Sequence, residues 1–209
     1  PEAARVRASA PVAPHQPPPG YRGAQSARDQ GLRPAPARRA ALRLVPAPLP
    51  ELILKTARQA RSVTLPAVPA LWKTWHQTKS IPPNISLAIS AGAPLPLELE
   101  QLIFQTSSLK VHNFYGSSEC GGIAYDRTNV PRTLPNCVGS ALDNVILSLS
   151  SRGTLVVESA AVGETYFPEP QPILRSGRFE TTDLAELRDQ LVFLHRRPSA
   201  LLNIAGRKA

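Results

Sequence analysis

Ser86-Leu-Ala-Ile-Ser90-Ala-Gly-Ala-Pro94 is the stretch on which the fold turns. Its first five residues form a small, continuous apolar run, the composition of a strand buried on both faces. The run breaks off abruptly in the small-residue loop Ala91-Gly-Ala-Pro94. Pro96 to Thr106 is helical by pattern, with Leu95, Leu99, Leu102 and Ile103 on one stripe. Lys110-Val-His-Asn-Phe114 then returns as a strand and enters the loop Tyr115-Gly-Ser-Ser-Glu-Cys-Gly-Gly122.

The upstream pattern repeats this alternation. Ala41 to Val45 is read as a strand, Pro50 to Ala57 as a short helix with proline near its start, Ser62 to Leu65 as a strand, and Val68 to Gln77 as a helix holding Trp72 and Trp75. Two successive strand–helix–strand units predict an α/β fold on a mostly parallel sheet. From Val138 onward the spacing shortens to small strands: Val145 to Leu149, Thr154 to Glu158, and a hairpin across Glu186 to Leu194 turning near Arg188-Asp-Gln190. A small β-rich subdomain is expected there.

The first 50 residues are different in kind. They hold 11 prolines and 8 arginines with much alanine, too little apolar surface to offset the entropy of ordering, so residues 1–43 are expected to be a disordered head. Residues 1–62 carry 11 Lys+Arg against 3 Asp+Glu, and residues 63–209 carry 13 against 12, so +8 of the net +9 belongs to the head. The remainder is nearly neutral and gives no reason to expect a nucleic-acid partner. No apolar run approaches the roughly 20 residues that span a bilayer, and no signal-peptide pattern opens the chain, so a cytoplasmic location is expected. Cys120 and Cys137 are too few for a disulfide framework and lack metal-ligand spacing. The absence of methionine suggests a piece of a longer reading frame.

The Ser90-Ala-Gly-Ala-Pro94 loop, followed by Asn113-Phe-Tyr-Gly-Ser-Ser-Glu119, resembles the adenylate-forming superfamily of acyl-CoA synthetases, aryl-acid ligases and peptide-synthetase adenylation domains. Three further segments resemble that family in order: Gly153-Thr-Leu-Val-Val157, Arg178-Phe-Glu-Thr-Thr-Asp183-Leu, and Arg197-Pro-Ser-Ala-Leu-Leu-Asn-Ile-Ala-Gly206-Arg-Lys. The resemblance implies that residues 44–196 are the distal part of the large adenylation domain and that residues 197–209 are the hinge and start of the small C-terminal domain. It implies ATP and Mg²⁺ as cofactors, a small-molecule carboxylic acid as substrate, and CoA or a phosphopantetheine-bearing acyl carrier protein as thiol acceptor.

The same resemblance assigns roles residue by residue. Gly92, Ala93 and Pro94 would lie against the adenine, with Tyr115 as its stacking ring, Asn113 at its edge, and Gly116 and Ser117 in the nucleotide-binding turn. Ser118 stands where the family usually has threonine and would contact the α-phosphate. Glu119 would hold Mg²⁺, for which a hard oxygen ligand is suited. Asp183 would accept the two ribose hydroxyls, as an ionised carboxylate can, although Asp183-Leu-Ala-Glu186 also fits a helix-capping pattern. Arg197 would approach ribose and phosphates, and Ser199 would mark the hinge. Arg196 departs from the family by replacing a glycine.

His76, His112 and His195 form no triad, but His112 would border the carboxylate pocket, and Gly121 and Gly122 would line an acyl tunnel. The family's Ser/Thr/Gly-rich phosphate loop has no counterpart upstream of residue 44, and its C-terminal lysine has none downstream. The function expected is therefore an ATP-dependent carboxylate-activating ligase fragment, inactive on its own. A non-catalytic remnant, or a binding module with a basic tail, is the alternative.

Overall fold

The computed structural model describes residues 41–166, 174–175, 177–195, 203–204 and 207–208. Proline sets the first two helix starts. Pro50 opens α1 (Pro50–Ala57) and Pro69 opens α2 (Pro69–Gln77), each at a position where the missing N–H costs nothing and the ring pre-sets the helical φ. Strand β1 (Val63–Ala67) lies between them, followed after α2 by β2 (Ile85–Ser90). Helix α3 (Leu97–Ser107) leaves the Ala91–Pro94 loop, ends on left-handed Ser108, and delivers the chain to β3 (Val111–Ser117).

Pairing changes character within β3. Its first residues pair parallel with β2, and β2 pairs parallel with β1. From Phe114 to Ser117 the same strand pairs antiparallel with β4 (Gly121–Tyr125). Every later pairing is antiparallel. Strand β4 joins β5 (Cys137–Ala141), and the sheet continues through the hairpin of β9 (Arg178–Arg188) and β10 (Leu191–Leu194). It then runs to β7 (Thr154–Glu158) and ends at β6 (Ile146–Leu149). A short β8 (Leu174–Arg175) pairs with β9, and β11 (Asn203–Ile204) pairs with β12 (Arg207–Lys208).

The α/β class is as expected, but the sheet is mixed: among the described residues parallel pairing is confined to β1, β2 and β3. The distal half is the β-rich part that its short strands predicted. The stretch expected as a loop from Tyr115 to Gly122 is a hairpin, because β3 runs on to Ser117 and only residues 118–120 turn. Ala41 to Val45, expected as a strand, is irregular, with Leu42 and Leu44 exposed. The head through residue 40 lies outside the described residues.

Two cores flank β3. One gathers Ile53, Trp72, Trp75, Ala88, Leu95, Ile103 and Val111. Its tryptophan rings meet edge-on with centroids 5.4 Å apart. Each indole N–H donates to a backbone carbonyl at 3.1 Å, Trp72 to Ile89 and Trp75 to Pro48, so neither polar tip is left unpaired on burial. The other core is built from antiparallel strands around Cys120, Ile123, Leu155, Val157, Phe179 and Val192. On α3 the buried positions are Glu100 and Ile103, and Leu102 points outward, so the apolar stripe expected there is rotated toward a buried carboxylate. Cys120 and Cys137 are both buried and free. Among the described residues no helix is long and apolar enough to cross a membrane.

Candidate active site

The site begins where the parallel strands end, the position at which open α/β sheets receive ligands. Ser90 and Asn113 are register partners at the ends of the β2–β3 pairing. The chain therefore leaves β2 as the Ala91–Pro94 loop beside Asn113, two residues before Tyr115 on the neighbouring strand. Ala91 N–H donates to the Ala67 carbonyl at 3.1 Å, tying the loop's entry to the end of β1. Gly92 has φ +84°, a left-handed conformation, and a methyl group there would meet Val68 only at an ordinary 3.5 Å. Backbone conformation, not space, calls for glycine at this position. Gly92 and Pro94 are exposed, and Leu95 behind them is buried.

The second part is the β3–β4 hairpin. Gly116 faces Gly122 in register, and a Cβ at Gly116 would sit 2.4 Å from the Gly121 carbonyl oxygen, so here close backbone approach requires glycine. Ser117 Oγ lies 3.2 Å from Cys120 Sγ inside the turn, while Ser118 is exposed at its tip. Burial pushes the Cys120 thiol above its ordinary value, which suits a structural cysteine. Glu119 is held from outside the hairpin: its carbonyl accepts Gly163 N–H at 2.8 Å, and its Oε1 accepts the Tyr166 hydroxyl at 3.1 Å.

The third part arrives from β9. Asp183 Oδ2 accepts the Tyr115 hydroxyl at 2.6 Å across 68 positions of sequence. Buried Thr181 braces the aspartate, accepting Asp183 N–H at 3.1 Å. Burial, then the Asp183 charge and the hydrogen bond to it, push the Tyr115 phenol well above the ordinary tyrosine range. Asp183 lies within a strand, so the helix-capping alternative for it is wrong.

Tyr115 and Asp183 are thus in direct contact, and Asn113, Gly116, Ser117, Ser118 and Glu119 share one hairpin. Gly92, Ala93 and Pro94 adjoin that hairpin through strand register. Asn113 is buried, with its amide donating to the Cys137 carbonyl at 3.4 Å. Arg197 and Ser199 lie outside the described residues. Gly122 packs tightly, since a Cβ there would fall 2.4 Å from Leu142 and 2.7 Å from Phe114. His112 Nδ1–H donates to the Asp126 backbone carbonyl at 2.9 Å, and the ring stacks on Tyr125.

Beneath the site lies a buried ionic cluster that sequence patterning missed. Lys110 Nζ contacts Glu100 Oε1 and, at 2.6 Å, Asp126 Oδ2. Arg132 Nε contacts Glu100 Oε2 at 2.8 Å. Burial alone would raise the Asp126 carboxyl, but the Lys110 and Thr128 donors outweigh it and hold it below its ordinary value. The available signal was Glu100 next to the apolar stripe of α3. Thr181 and Tyr166, which brace Asp183 and Glu119, carried none.

No family model and no curated protein matches the sequence. Solved structures do. Apo MatB from Rhodopseudomonas palustris superposes with a TM-score of 0.66 at 22% identity, covering 79% of this chain and 36% of that one. A malonyl-CoA ligase in ternary product complex with methylmalonyl-CoA and AMP gives 0.63 at 21%, covering 77% and 39%. The o-succinylbenzoate CoA synthetase MenE from Bacillus subtilis gives 0.64 at 20%, covering 76% and 36%. The chain therefore has the fold of part of the adenylate-forming enzymes, and it spans well under half the length of these neighbours.

Proposed function

We propose that this chain, which shares its fold with adenylate-forming enzymes, is the nucleotide-side portion of an ATP-dependent carboxylate-activating ligase. The observation that carries the reading is the Tyr115–Asp183 hydrogen bond, 2.6 Å long. It joins the ring assigned to adenine with the carboxylate assigned to ribose, although β4, β5 and β10 lie between their strands in the sheet order. Support also comes from the fold neighbour that holds AMP and methylmalonyl-CoA.

In this reading adenine packs between the Gly92–Pro94 backbone and the Tyr115 ring, with Asn113 and Gly116 along its edge. Asp183 accepts the ribose hydroxyls. A carboxylate offers about four lone-pair sites, so engaging Tyr115 on one oxygen leaves acceptor capacity for ribose. The exposed Ser118 hydroxyl contacts the α-phosphate, and Ser117 belongs to the nucleotide-binding turn beneath it. A carboxylate oxygen of the acid attacks the α-phosphorus, pyrophosphate leaves, and an acyl-AMP forms. A thiol sulfur of CoA, or of a carrier protein's phosphopantetheine, then attacks the acyl carbon and AMP leaves. The binding geometry contributes by converting an encounter of two anions into a positioned displacement.

The donor set near Glu119 suits Mg²⁺ bound with a nucleotide. Among the described residues no group of three or more His, Cys, Asp or Glu side chains converges to cage an ion, but Mg²⁺ ordinarily takes one or two carboxylates and completes its shell with phosphates and water. Glu119 would hold it, and when bound it would neutralise phosphate charge. Arg197 and Ser199 keep their assigned roles at the phosphates and the hinge, and a cytoplasmic setting fits the use of ATP and CoA.

Calorimetric titration of the chain with Mg-ATP and with AMP tests the reading. Saturable binding is expected, weakened about tenfold or more in Asp183→Ala, as loss of a charged hydrogen-bond acceptor implies. Glu119→Ala should weaken Mg-ATP but leave AMP nearly unchanged. No binding of either nucleotide, or wild-type affinity in Asp183→Ala, would overturn it.

A further inference from the structure

We propose that Arg132 is a positioning residue for the Ala91–Leu95 loop, fixing the height of that loop against β3. The proposal rests on the reading of Gly92–Pro94 as one wall of the nucleotide site. Arg132 lies in the connection between β4 and β5 and is 8% exposed. Its guanidinium reaches three elements at once. Nε donates to Glu100 Oε2 on α3 at 2.8 Å, one terminal nitrogen donates to the Cys137 carbonyl at the start of β5 at 2.6 Å, and the other donates to the Leu95 carbonyl at 2.8 Å. Its backbone N–H also donates to Glu100 Oε1 at 3.0 Å.

Two of those acceptors matter to the site. Leu95 closes the loop, whose entry is already tied through Ala91 N–H to Ala67. Arg132 supplies the second tie, leaving Gly92, Ala93 and Pro94 suspended between two fixed points. The Cys137 carbonyl is the one that Asn113 also uses, two residues before Tyr115. One planar fork therefore ties the loop to the carbonyl that fixes the adjacent strand.

Glu100 is in turn immobilised by Lys110, which is held by Asp126. Four buried charges of balanced sign are a poor device for stability alone, since apolar side chains of similar volume often serve as well. What they provide is direction: a rigid fork with fixed donors, which an ammonium group cannot reproduce.

The test compares Arg132→Lys with wild type in the whole chain. Lysine keeps a charge for Glu100 but cannot donate to both carbonyls. Amide hydrogen exchange should quicken about tenfold for the Gly92, Ala93 and Leu95 amides, as loss of a backbone-directed hydrogen bond implies. Exchange in β2 and β3 should be unchanged. Mg-ATP affinity should fall by a similar factor and should not be restored by raising Mg²⁺.

Unchanged loop exchange, or acceleration shared equally by all strands, would overturn the proposal. If Arg132→Lys does not fold, Glu100→Gln, which loosens the anchor of Nε while leaving the loop intact, should show the same confined acceleration at smaller size. Its absence would be equally decisive against the proposal. If the wild-type chain binds no nucleotide, the ligase reading fails, and the exchange comparison still decides whether Arg132 fixes the loop.

Discussion

The hydroxyl of Tyr115 on β3 donates to Oδ2 of Asp183 on β9 at 2.6 Å, a side-chain hydrogen bond between residues 68 positions apart in sequence. Tyr115→Phe deletes the donor with little change of shape. With Asp183 half-buried, its loss should cost about 1–1.5 kcal/mol in urea denaturation. A double-mutant cycle with Asp183→Asn should return a coupling of about 1 kcal/mol. Strict additivity would mean that the contact contributes nothing to stability.

The same bond sets an alkaline signature. Burial and the Asp183 carboxylate both oppose ionisation, so the folded phenol ionises above its unfolded value. A group of this sign stabilises the fold fully below the unfolded tyrosine value near 10 and loses that contribution as pH rises beyond it. Absorbance titration at the tyrosinate band should show the wild type and Tyr115→Phe ionising alike through about pH 10. The missing phenol should appear only with unfolding. An earlier tyrosinate absent from Tyr115→Phe would contradict this.

The ionic cluster gives an acid signature of opposite sign. The Asp126 carboxyl is held below its ordinary 3.8 by Lys110 and Thr128 against burial. Its stabilisation is present above the unfolded value and is lost as pH falls through the lower folded one. Lys110→Met should destabilise by about 3–5 kcal/mol at neutral pH, because Glu100 and Asp126 lose a shared buried cation. In thermal melts across the acid range the variant should recover part of that deficit as Asp126 protonates. A deficit constant with pH would count against the pairing.

Two glycines of the site should respond differently to a methyl group. Gly116→Ala forces a Cβ to within 2.4 Å of a backbone oxygen, and a cost of about 2–3 kcal/mol follows from the shift it demands. Gly92→Ala meets no clash and costs about 1 kcal/mol through its left-handed φ. Denaturation midpoints of the two variants should rank in that order.

The β9–β10 hairpin turns on Asp189 and Gln190, both with positive φ (51° and 66°) and neither glycine. Gln190→Gly should therefore stabilise the protein by about 0.5–1 kcal/mol, raising the melting temperature. A lower melting temperature would show that the glutamine side chain contributes more than its strained backbone costs.

Local order was legible wherever one short-range signal dominated. Pro50 and Pro69 marked helix starts because a fixed φ and a missing donor suit only that position, and Thr154 to Glu158 showed itself as a strand by β-branched composition. The Tyr115–Gly122 hairpin was hidden because its glycines look like loop residues; their role in close strand approach appears only with register. The proportion of parallel pairing was unreadable for a related reason, since β3 exchanges partners midway and no residue signals the change. The Tyr115–Asp183 contact and the Arg132 fork join distant segments, so only the family resemblance pointed to the first, and nothing in the local pattern pointed to the second.

Because β3 is shared by the tryptophan-containing core on one side and the antiparallel core on the other, the protein has a natural seam. Local opening that starts in the antiparallel layer would withdraw Asp183 from Tyr115 while leaving β1, β2 and the tryptophan pair intact. Opening on the other side would release the Gly92 loop first. Ligand recognition would then fail before the chain as a whole melts, by either of two routes, and tryptophan fluorescence would report only one of them.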